Sequence, residues 1–580
     1  MEVLDYDVVI LGSGIAGLTA AIHASRLGKG NLKIAVVSKL HVMRSHSVAA
    51  EGGISGVLYP QANQDSKELH AYDTVKGSDY LADQDAVERL VNGAPDEIKF
   101  FDHLGVPWNR REKGMIDQRP FGGMSVPRTA FAADKTGFFM MRSLYDELTS
   151  HKDIDIFNEH FATNLIRKGN RIYGIVAFDL SNENVKAFRS KSIVIATGGA
   201  SRIYSFTTNS YSNTGDGTAM AFRAGLPIKD MEFVQFHPTA LIPSGILITE
   251  AARGEGGYLK NSEGERFMEK YAKSKMELAP RDIVSRAIIS EIKAGRGMRD
   301  HESGLYYVYL DLRHLDPEKI DEKLPMIKEI TIKMINLDPS KSQIPIRPAA
   351  HFTMGGIHTN IDGAVMLDAS RPMVGTWAAG ECACVSVHGS NRLGSNSLSQ
   401  CSVWGRIAGR SAADFALKSG NAADSGSFFA AAEEEESDIH KIIDARGSTS
   451  PYELRDSLYE LMEEHMYVYR NIRGMAIARK GISALRNKFK DIYIEDKGKA
   501  FNTNLREAFE IHNLLDIAWI VSEGAFRRHE SRGAHVVAEY PKRDDARWLK
   551  HTIAIKSAAG IKFSYSKVKI TKWQPEERKY

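Results

Sequence analysis

The chain has 580 residues, room for about four domains of ordinary size, and a composition that is 43% hydrophobic and 26% charged, which excludes disorder as its main state. Its 76 Lys and Arg against 73 Asp and Glu leave a formal charge of +3, too near balance for a nucleic-acid binder working by bulk electrostatics. Three cysteines exclude a disulfide scaffold and suit a reducing compartment, and no uncharged apolar run approaches the ~18 residues of a membrane span.

The opening seven residues are acidic and lack a basic n-region, so no secretory leader is expected. Tyr6–Leu11 is a short apolar run of the kind a buried parallel strand shows. A glycine-rich turn from Gly12 to Gly17 follows, then an Ala-rich helix over Leu18–Leu27 and a second strand over Lys33–Val37. From 151 to 195 the pattern is strand-rich and ends in Ser192–Ala196, followed by Thr197-Gly198-Gly199. Residues 236–349 read as an inserted α+β unit, after which Gly-rich, strand-like character returns over 350–415. The first domain is therefore expected to be discontinuous, 1–235 and 350–415. The Ala/Ser/Gly-rich stretch 410–430 reads as a boundary. A helical domain over 430–540 follows, with Ser450 at an N-cap, Pro451 in the first turn and Glu453 at the capping-box position. Leu454, Leu458, Leu461 and Met462, and later Ala508, Ile511, Leu515 and Ala518, recur at helical spacing and read as core faces. The acidic run Glu433–Glu436 reads as a solvated helix face. Residues 541–580 alternate apolar and polar and suggest a small C-terminal β unit. The fold class is α/β.

Gly12, Gly14 and Gly17 form a GxGxxG fingerprint between a strand and a helix, with Ser13 and Ala16 between them. The first glycine permits the tight turn, the second lets the backbone approach a pyrophosphate, and the third packs helix on strand. The helix N-terminus supplies an anion site. The fingerprint alone does not choose between NAD and FAD. Where an acid would meet the ribose the second strand ends in Ser38-Lys39, a departure from the usual pattern, although a serine hydroxyl also bonds a ribose. Cys382, Cys384 and Cys401 fall short of the four thiolates of an iron–sulfur cluster, so no metal site is expected and they read as buried small hydrophobes.

Six motifs in order carry a resemblance. Arg44-Ser45-His46-Ser47-Val48-Ala49-Ala50-Glu51-Gly52-Gly53 resembles the flavin-attachment segment of succinate dehydrogenase and fumarate reductase flavoprotein subunits. Phe236-His237-Pro238-Thr239, the stretch Thr249–Gly257, Pro280-Arg281-Asp282, His351–Gly356 and His388–Leu398 resemble that family's other motifs. The resemblance runs over essentially the whole chain, to Arg532–His535 and the closing Arg578-Lys579-Tyr580.

The resemblance implies a Rossmann-like FAD-binding domain with an inserted capping domain over 236–349. It implies FAD joined covalently to His46 through the flavin 8α-carbon, with Ser45, Gly52, Gly53, Ser38, Lys39, Gly198, Asp216, Glu381, Ser397 and Leu398 among the cofactor contacts. His237, Thr249, His351 and Arg392 match the residues that grip a four-carbon dicarboxylate. Arginine suits that role because its fork holds a carboxylate bidentately. Arg281 matches the proton-transfer residue, with Glu250 and Arg253 on its proton path. Free guanidinium hardly deprotonates, and crowding of like charges beside a carboxylate is the physical remedy. The implied activity is oxidation of succinate to fumarate, or the reverse, with electrons passing to an iron–sulfur subunit and on to quinone. That subunit is held by a membrane anchor at the cytoplasmic face of a prokaryotic membrane. Glu51 is the residue type more usual in fumarate reductases, whereas the Gln574–Tyr580 tail resembles dehydrogenases, the direction favoured here. L-Aspartate oxidase is the nearest rival, and His46 within Arg-Ser-His argues against it. An RNA-binding flavoprotein would need a basic patch, and the stretch Lys542–Lys550 is broken by Asp544 and Asp545.

Overall fold

The computed structural model describes residues 1–368, 370–420 and 425–579. Residues 421–424, within the expected boundary stretch, and the closing Tyr580 lie outside the described residues.

The first apolar run is the inner half of a longer strand, Glu2–Leu11. Residues 8–11 pair in parallel with Ile34–Val37 on one side and with Ser192–Ile195 on the other, so both faces and both edges are covered. Residues 2–6 pair only with Lys186–Ser190 and stay largely half-buried or exposed, which is why apolarity alone marks only the inner half. The following helix, Ile15–Gly28, begins three residues before the apolar pattern does, because Gly14 serves as its N-cap and Gly17 already lies inside it. Ile154–Phe157 pairs in parallel with Ile34–Val37 and extends the sheet. An antiparallel meander, His160–Lys168, Arg171–Asp179 and Val185–Ile195, widens it to six strands, and Pro372–Ala378 with Ala364–Met366 bring it to eight.

After the insertion the chain rejoins this sheet. Pro372–Ala378 pairs in parallel with Val185–Ile195, Trp377 opposite Val194. The helix Asn396–Lys418 then lies against Ile15–Gly28 at unusually close range. A Cβ on Gly405 would stand 2.6 Å from the Ala16 carbonyl oxygen, and one on Gly409 would stand 2.2 Å from that of Ala20. Only glycine permits that approach at either position.

Between these halves, Val234–Leu241 and Ile344–Thr353 run antiparallel with His237 opposite Ala349, so the inserted segment leaves and returns on adjacent strands. Tyr306–Asp311 and Tyr258–Lys260 complete its sheet. Its helices, among them Arg281–Glu291 and Pro325–Ile335, enclose a separate apolar cluster that includes Leu259, Ile288, Leu310 and Ile346.

Helices Pro451–His465, Ile472–Lys488 and Thr503–Arg527 pack on one another. Ser450 caps the first by accepting from the Tyr452 N–H (3.3 Å), and Leu454, Leu458, Met462, Ala508, Ile511, Leu515 and Ala518 are buried. The acidic run is only partly a solvated face. Its helix, Ser425–Ile443, packs Phe428, Ala432 and Ile439 against the meander, which brings Glu435 to the Asn164 amide at 2.8 Å. The C-terminal hairpin, Lys550–Ser557 and Gly560–Lys567, does not stand alone: it extends a five-stranded sheet through Ile228–Lys229, Gly356–His358 and Ala383–Cys384. Among the described residues no helix is long and apolar enough to cross a membrane.

Candidate active site

One cavity of about 480 Å³ runs from the glycine-rich turn to the inserted domain. Gly12, Ser13, Gly14 and Ala16 line its first end. Gly12 has φ +109, and a Cβ there would lie 2.2 Å from the Ala196 carbonyl oxygen; Gly17, outside the lining, would place a Cβ 2.0 Å from the Gly12 oxygen. Gly12 and Gly17 thus permit the tight turn and the close helix packing, while a Cβ on Gly14 would stand 3.1 Å from Ser47 Oγ and 3.2 Å from Ser45 Oγ. Ser38 stands where an acid is usual, and its hydroxyl lies 2.6 Å from that of Ser13. Lys39 lines the cavity, but its ammonium is committed to Asp216 (2.8 Å), Glu510 (2.8 Å) and the Thr214 hydroxyl (2.7 Å). Asp216 also accepts from the Asn513 amide (2.8 Å), so the helix Thr503–Arg527 braces this wall. Gly198, at φ +77, has nothing within 4 Å of where a Cβ would sit.

The segment holding His46 folds back onto the fingerprint because Ser47 Oγ accepts from the Ile15 N–H (3.2 Å). His46 Nδ1 accepts from the Ser210 N–H (3.4 Å), which leaves Nε2 as the ring nitrogen for another bond. Burial pulls the imidazole down to about 4, so the ring is neutral at physiological pH, and with Nδ1 accepting its one proton sits on Nε2. Ser45, Gly52, Gly53, Glu381, Ser397 and Leu398 line the same cavity. Burial pushes Glu381 up to about 7, although it accepts from the Thr353 N–H (2.9 Å). A Cβ on Gly199 would overlap the Glu381 carboxyl, at 2.1 Å. A dinucleotide turn, a wall open at Gly198 and a neutral histidine lining the cavity fit FAD.

At the other end the cavity meets His237, Thr249, Glu250, Arg281, His351 and Arg392. Strands Val234–Leu241 and Ile344–Thr353 carry the histidines, with ring centroids 4.9 Å apart, and the helix Arg281–Glu291 presents Arg281 from its first turn. Arg281 Nε donates to Glu250 at 2.7 Å and Nη1 donates to Gln235 Oε1 at 3.2 Å. Burial pushes Glu250 up, but the charges of Arg281 and Arg253 and the hydrogen bonds from Arg281 and the Gly122 N–H (2.6 Å) outweigh it and keep the carboxylate ionised. Arg253 does not line the cavity; it sits fully buried behind Glu250, 3.8 Å from it, and donates to the Glu277 carbonyl. Arg392 Nη2 donates to His351 Nε2 (2.8 Å) and Nη1 to Ser397 Oγ (3.0 Å), while its buried Nε is unpartnered. Burial and repulsion from Arg281 pull Arg392 well below the usual guanidinium range, the mark of a cation arranged for an anion. His237 Nε2 is also buried without a partner.

The sequence reading omitted Gln235, Gly122 and Thr208. Gln235 lies two residues before His237 on one strand, hence on the same face, and strand periodicity would have found it. Nothing local marks Gly122, which offers a backbone N–H, or Thr208, whose hydroxyl meets His351 Nδ1 at 2.6 Å.

The chain matches an FAD binding domain over residues 7–398 and the fumarate reductase flavoprotein C-terminal domain over residues 455–580. It is 42% identical to a fumarate reductase flavoprotein subunit of Mycobacterium tuberculosis, over 99% of each chain. It is 43% identical to a succinate dehydrogenase flavoprotein subunit of Rickettsia bellii, over 98% of this chain and 96% of that protein. Its fold superposes on E. coli quinol fumarate reductase FrdA with a TM-score of 0.95 at 40% identity, covering 100% of this chain and 99% of the other. The chain belongs to the succinate dehydrogenase and fumarate reductase flavoprotein subunits.

Proposed function

We propose that this cavity interconverts succinate and fumarate on FAD held covalently by His46, and that Arg281 is the proton-transfer residue. The observation that carries the reading is the pairing, in one cavity, of a dinucleotide turn and His46 at one end with Arg392, His237 and Arg281 at the other. When bound, FAD supplies a two-electron acceptor at the hydride level. Arg392, His351, His237 and Thr249 bind the two carboxylates and fix the central carbons, which places the reacting atoms and supplies the orientation part of the rate. Succinate releases a hydride from one central carbon and a proton from the other. Arg281 lines the cavity beside Glu250, and its guanidinium gives the Nε proton to that carboxylate across the 2.7 Å contact and takes the succinate proton in its place, with Arg253 behind Glu250. The same groups serve the reverse reaction.

Residues 1–235 and 350–415 form the cofactor domain in this reading. Residues 236–349 cap it and deliver Arg281, 430–540 brace the wall at Asp216, and 541–580 close the far edge. The chain hands electrons to an iron–sulfur subunit, itself joined to a membrane anchor at the cytoplasmic face. The likeness of the tail to dehydrogenases supports succinate oxidation as the working direction. The test is succinate-dependent reduction of an artificial dye by the FAD-loaded chain, with malonate as competitor, followed by the ratio of succinate oxidation to fumarate reduction in the assembled complex. Hydrogen peroxide formed rapidly from L-aspartate, with no response to succinate, would sink it.

A further inference from the structure

We infer that Asp134 is a positioning residue: from outside the inserted segment it caps that segment's helix Pro325–Ile335, and so holds Met326 and Ile330 as the cavity wall that closes on a dicarboxylate; this rests on the dicarboxylate reading above. A helix leaves its first N–H groups without partners of its own. Here Pro325 has no N–H, and Lys328 donates to the Leu324 carbonyl (3.2 Å), so Met326 and Ile327 hold the two donors left over. Leu324, at the N-cap, has no side-chain acceptor to offer. Asp134, 192 residues before Met326, supplies one: its Oδ2 accepts from the Met326 N–H (2.8 Å) and from the Ile327 N–H (3.1 Å).

Asp134 is fully buried, and the chain around it is fixed. It precedes the helix Thr136–Leu148, whose Gly137 N–H donates to the Ala50 carbonyl (2.7 Å) in the segment that carries His46. The carboxylate therefore ties the inserted segment to the cofactor side of the cavity. Met326 and Ile330 stand one turn apart, hence on one face of their helix, and both line the cavity. Neither offers a dicarboxylate a polar group. Their part is to keep water from it, which strengthens the hold of the buried arginines. The neighbouring pair Lys135 and Glu329 (3.6 Å) is exposed and adds little. Without the cap the first turn frays, the wall stands closed for only part of the time, and apparent affinity falls by that fraction.

The experiment titrates FAD-loaded protein with malonate, read by the flavin absorbance change, and measures succinate KM and kcat with a dye, FAD content and thermal midpoint on each variant. Asp134→Ala, and Asp134→Ser should the alanine fail to fold, weaken malonate about five- to tenfold, the worth of a lost cap. The succinate KM rises by a similar factor while kcat stays within about threefold, because binding is lost and no group that moves a proton is touched. Asp134→Asn stays within about threefold of normal affinity, since its amide oxygen still accepts. In a Met326→Ala, Ile330→Ala background Asp134→Ala adds less than about twofold, because its effect passes through that wall. The full loss in that background overturns the proposal, as does a fall in kcat with KM unchanged. A lowered thermal midpoint with unchanged malonate affinity also overturns it, and with Arg392→Ala still weakened it leaves the dicarboxylate reading standing. If the unaltered protein binds no malonate, the dicarboxylate reading falls, and the role of Asp134 with it.

Discussion

At the scale of single residues, Arg281 and Arg392 differ in what surrounds them. Arg392 touches His351 and Ser397 and keeps an unpartnered buried Nε, so it is arranged to hold a ligand. Arg281 is bonded to Glu250 and Gln235, groups that can pass or orient a proton. Arg392→Ala should therefore weaken malonate by about 10- to 100-fold, the loss of one or two charge-assisted hydrogen bonds, and lower turnover with it. Arg281→Lys should bind malonate within about threefold of normal while turnover falls by roughly 10²- to 10⁴-fold, the usual share of general acid–base catalysis. Near-normal turnover in Arg281→Lys would move the proton role elsewhere, Arg286 first. His46 invites a separate measurement. A neutral ring with Nε2 unclaimed should leave yellow-green fluorescence on the 64.4 kDa band after acid denaturation and electrophoresis. His46→Ser should retain FAD that acid releases, because the wall from Gly12 to Asp216 is untouched. Free FAD released by acid from the unaltered protein would contradict attachment at His46.

At the scale of elements, the helix Arg281–Glu291 shows how distant sequence steadies the site. Its second residue, Asp282, accepts from Arg286 one turn on (3.1 Å) and from Arg578 in the tail (2.6 Å), and Arg578 also pairs with Asp79 (3.1 Å). Asp282 and Asp79 are almost fully buried, so removing a cation leaves carboxylates short of compensation. Arg578→Ala should cost about 3 kcal/mol of stability. It should also reduce turnover more than malonate affinity, because the loosened end of the helix is the one that begins with Arg281. Thermal unfolding and a kcat-against-Kd comparison check both. This contact also marks where sequence reading reaches its limit. The fingerprint, the Ser450 cap and the two helical core stripes were legible because each is written within about twenty residues, in a pattern fixed by local geometry. The resemblance placed His46, Arg281 and Arg392 at one cavity, which composition and spacing alone could not do. The tail hairpin was legible as β structure, yet its partners at Ile228–Lys229 were not, since pairing across more than three hundred residues leaves no local trace. Lys39 was legible as a cavity residue, but not its attachment to Asp216 and Glu510, for the same reason.

At the scale of the whole molecule, the tail is fastened to the cofactor domain by a buried charge cluster whose pH dependence can be worked out. His551, fully buried on the hairpin, lies between Asp230 (2.6 Å) and Asp83 (3.1 Å), with Lys229 bonded to Asp83 (3.4 Å) and His358 nearby. Burial and Lys229 push His551 down, but the two carboxylates outweigh them and raise it above its ordinary 6.5. A group raised in the folded state stabilises fully below its unfolded pKa and loses that contribution as pH climbs through the folded value. The thermal midpoint should hold from pH 6 downward to the onset of carboxylate protonation, and fall as pH climbs from the ordinary 6.5 through the raised His551 pKa, levelling off beyond it. His551→Gln should flatten that alkaline fall, and an identical slope in wild type and variant would remove His551 from the account. Burial pushes the thiols of Cys382, Cys384 and Cys401 up to about 11, 12 and 12, so none is a ready thiolate ligand. Among the described residues no three His, Cys, Asp or Glu side chains gather to hold a metal, and no helix can span a bilayer. Succinate gives up two electrons together, whereas a cluster relay accepts them singly. Under the proposed function, electrons reach quinone through a second protein that carries clusters and docks beside the flavin. The chain purified alone should hold FAD and no iron by metal analysis. It should reduce a small dye with succinate and leave quinone unreduced until an iron–sulfur subunit is added back. Quinone reduction by the isolated chain at the rate of the assembled complex would show that the relay is not required.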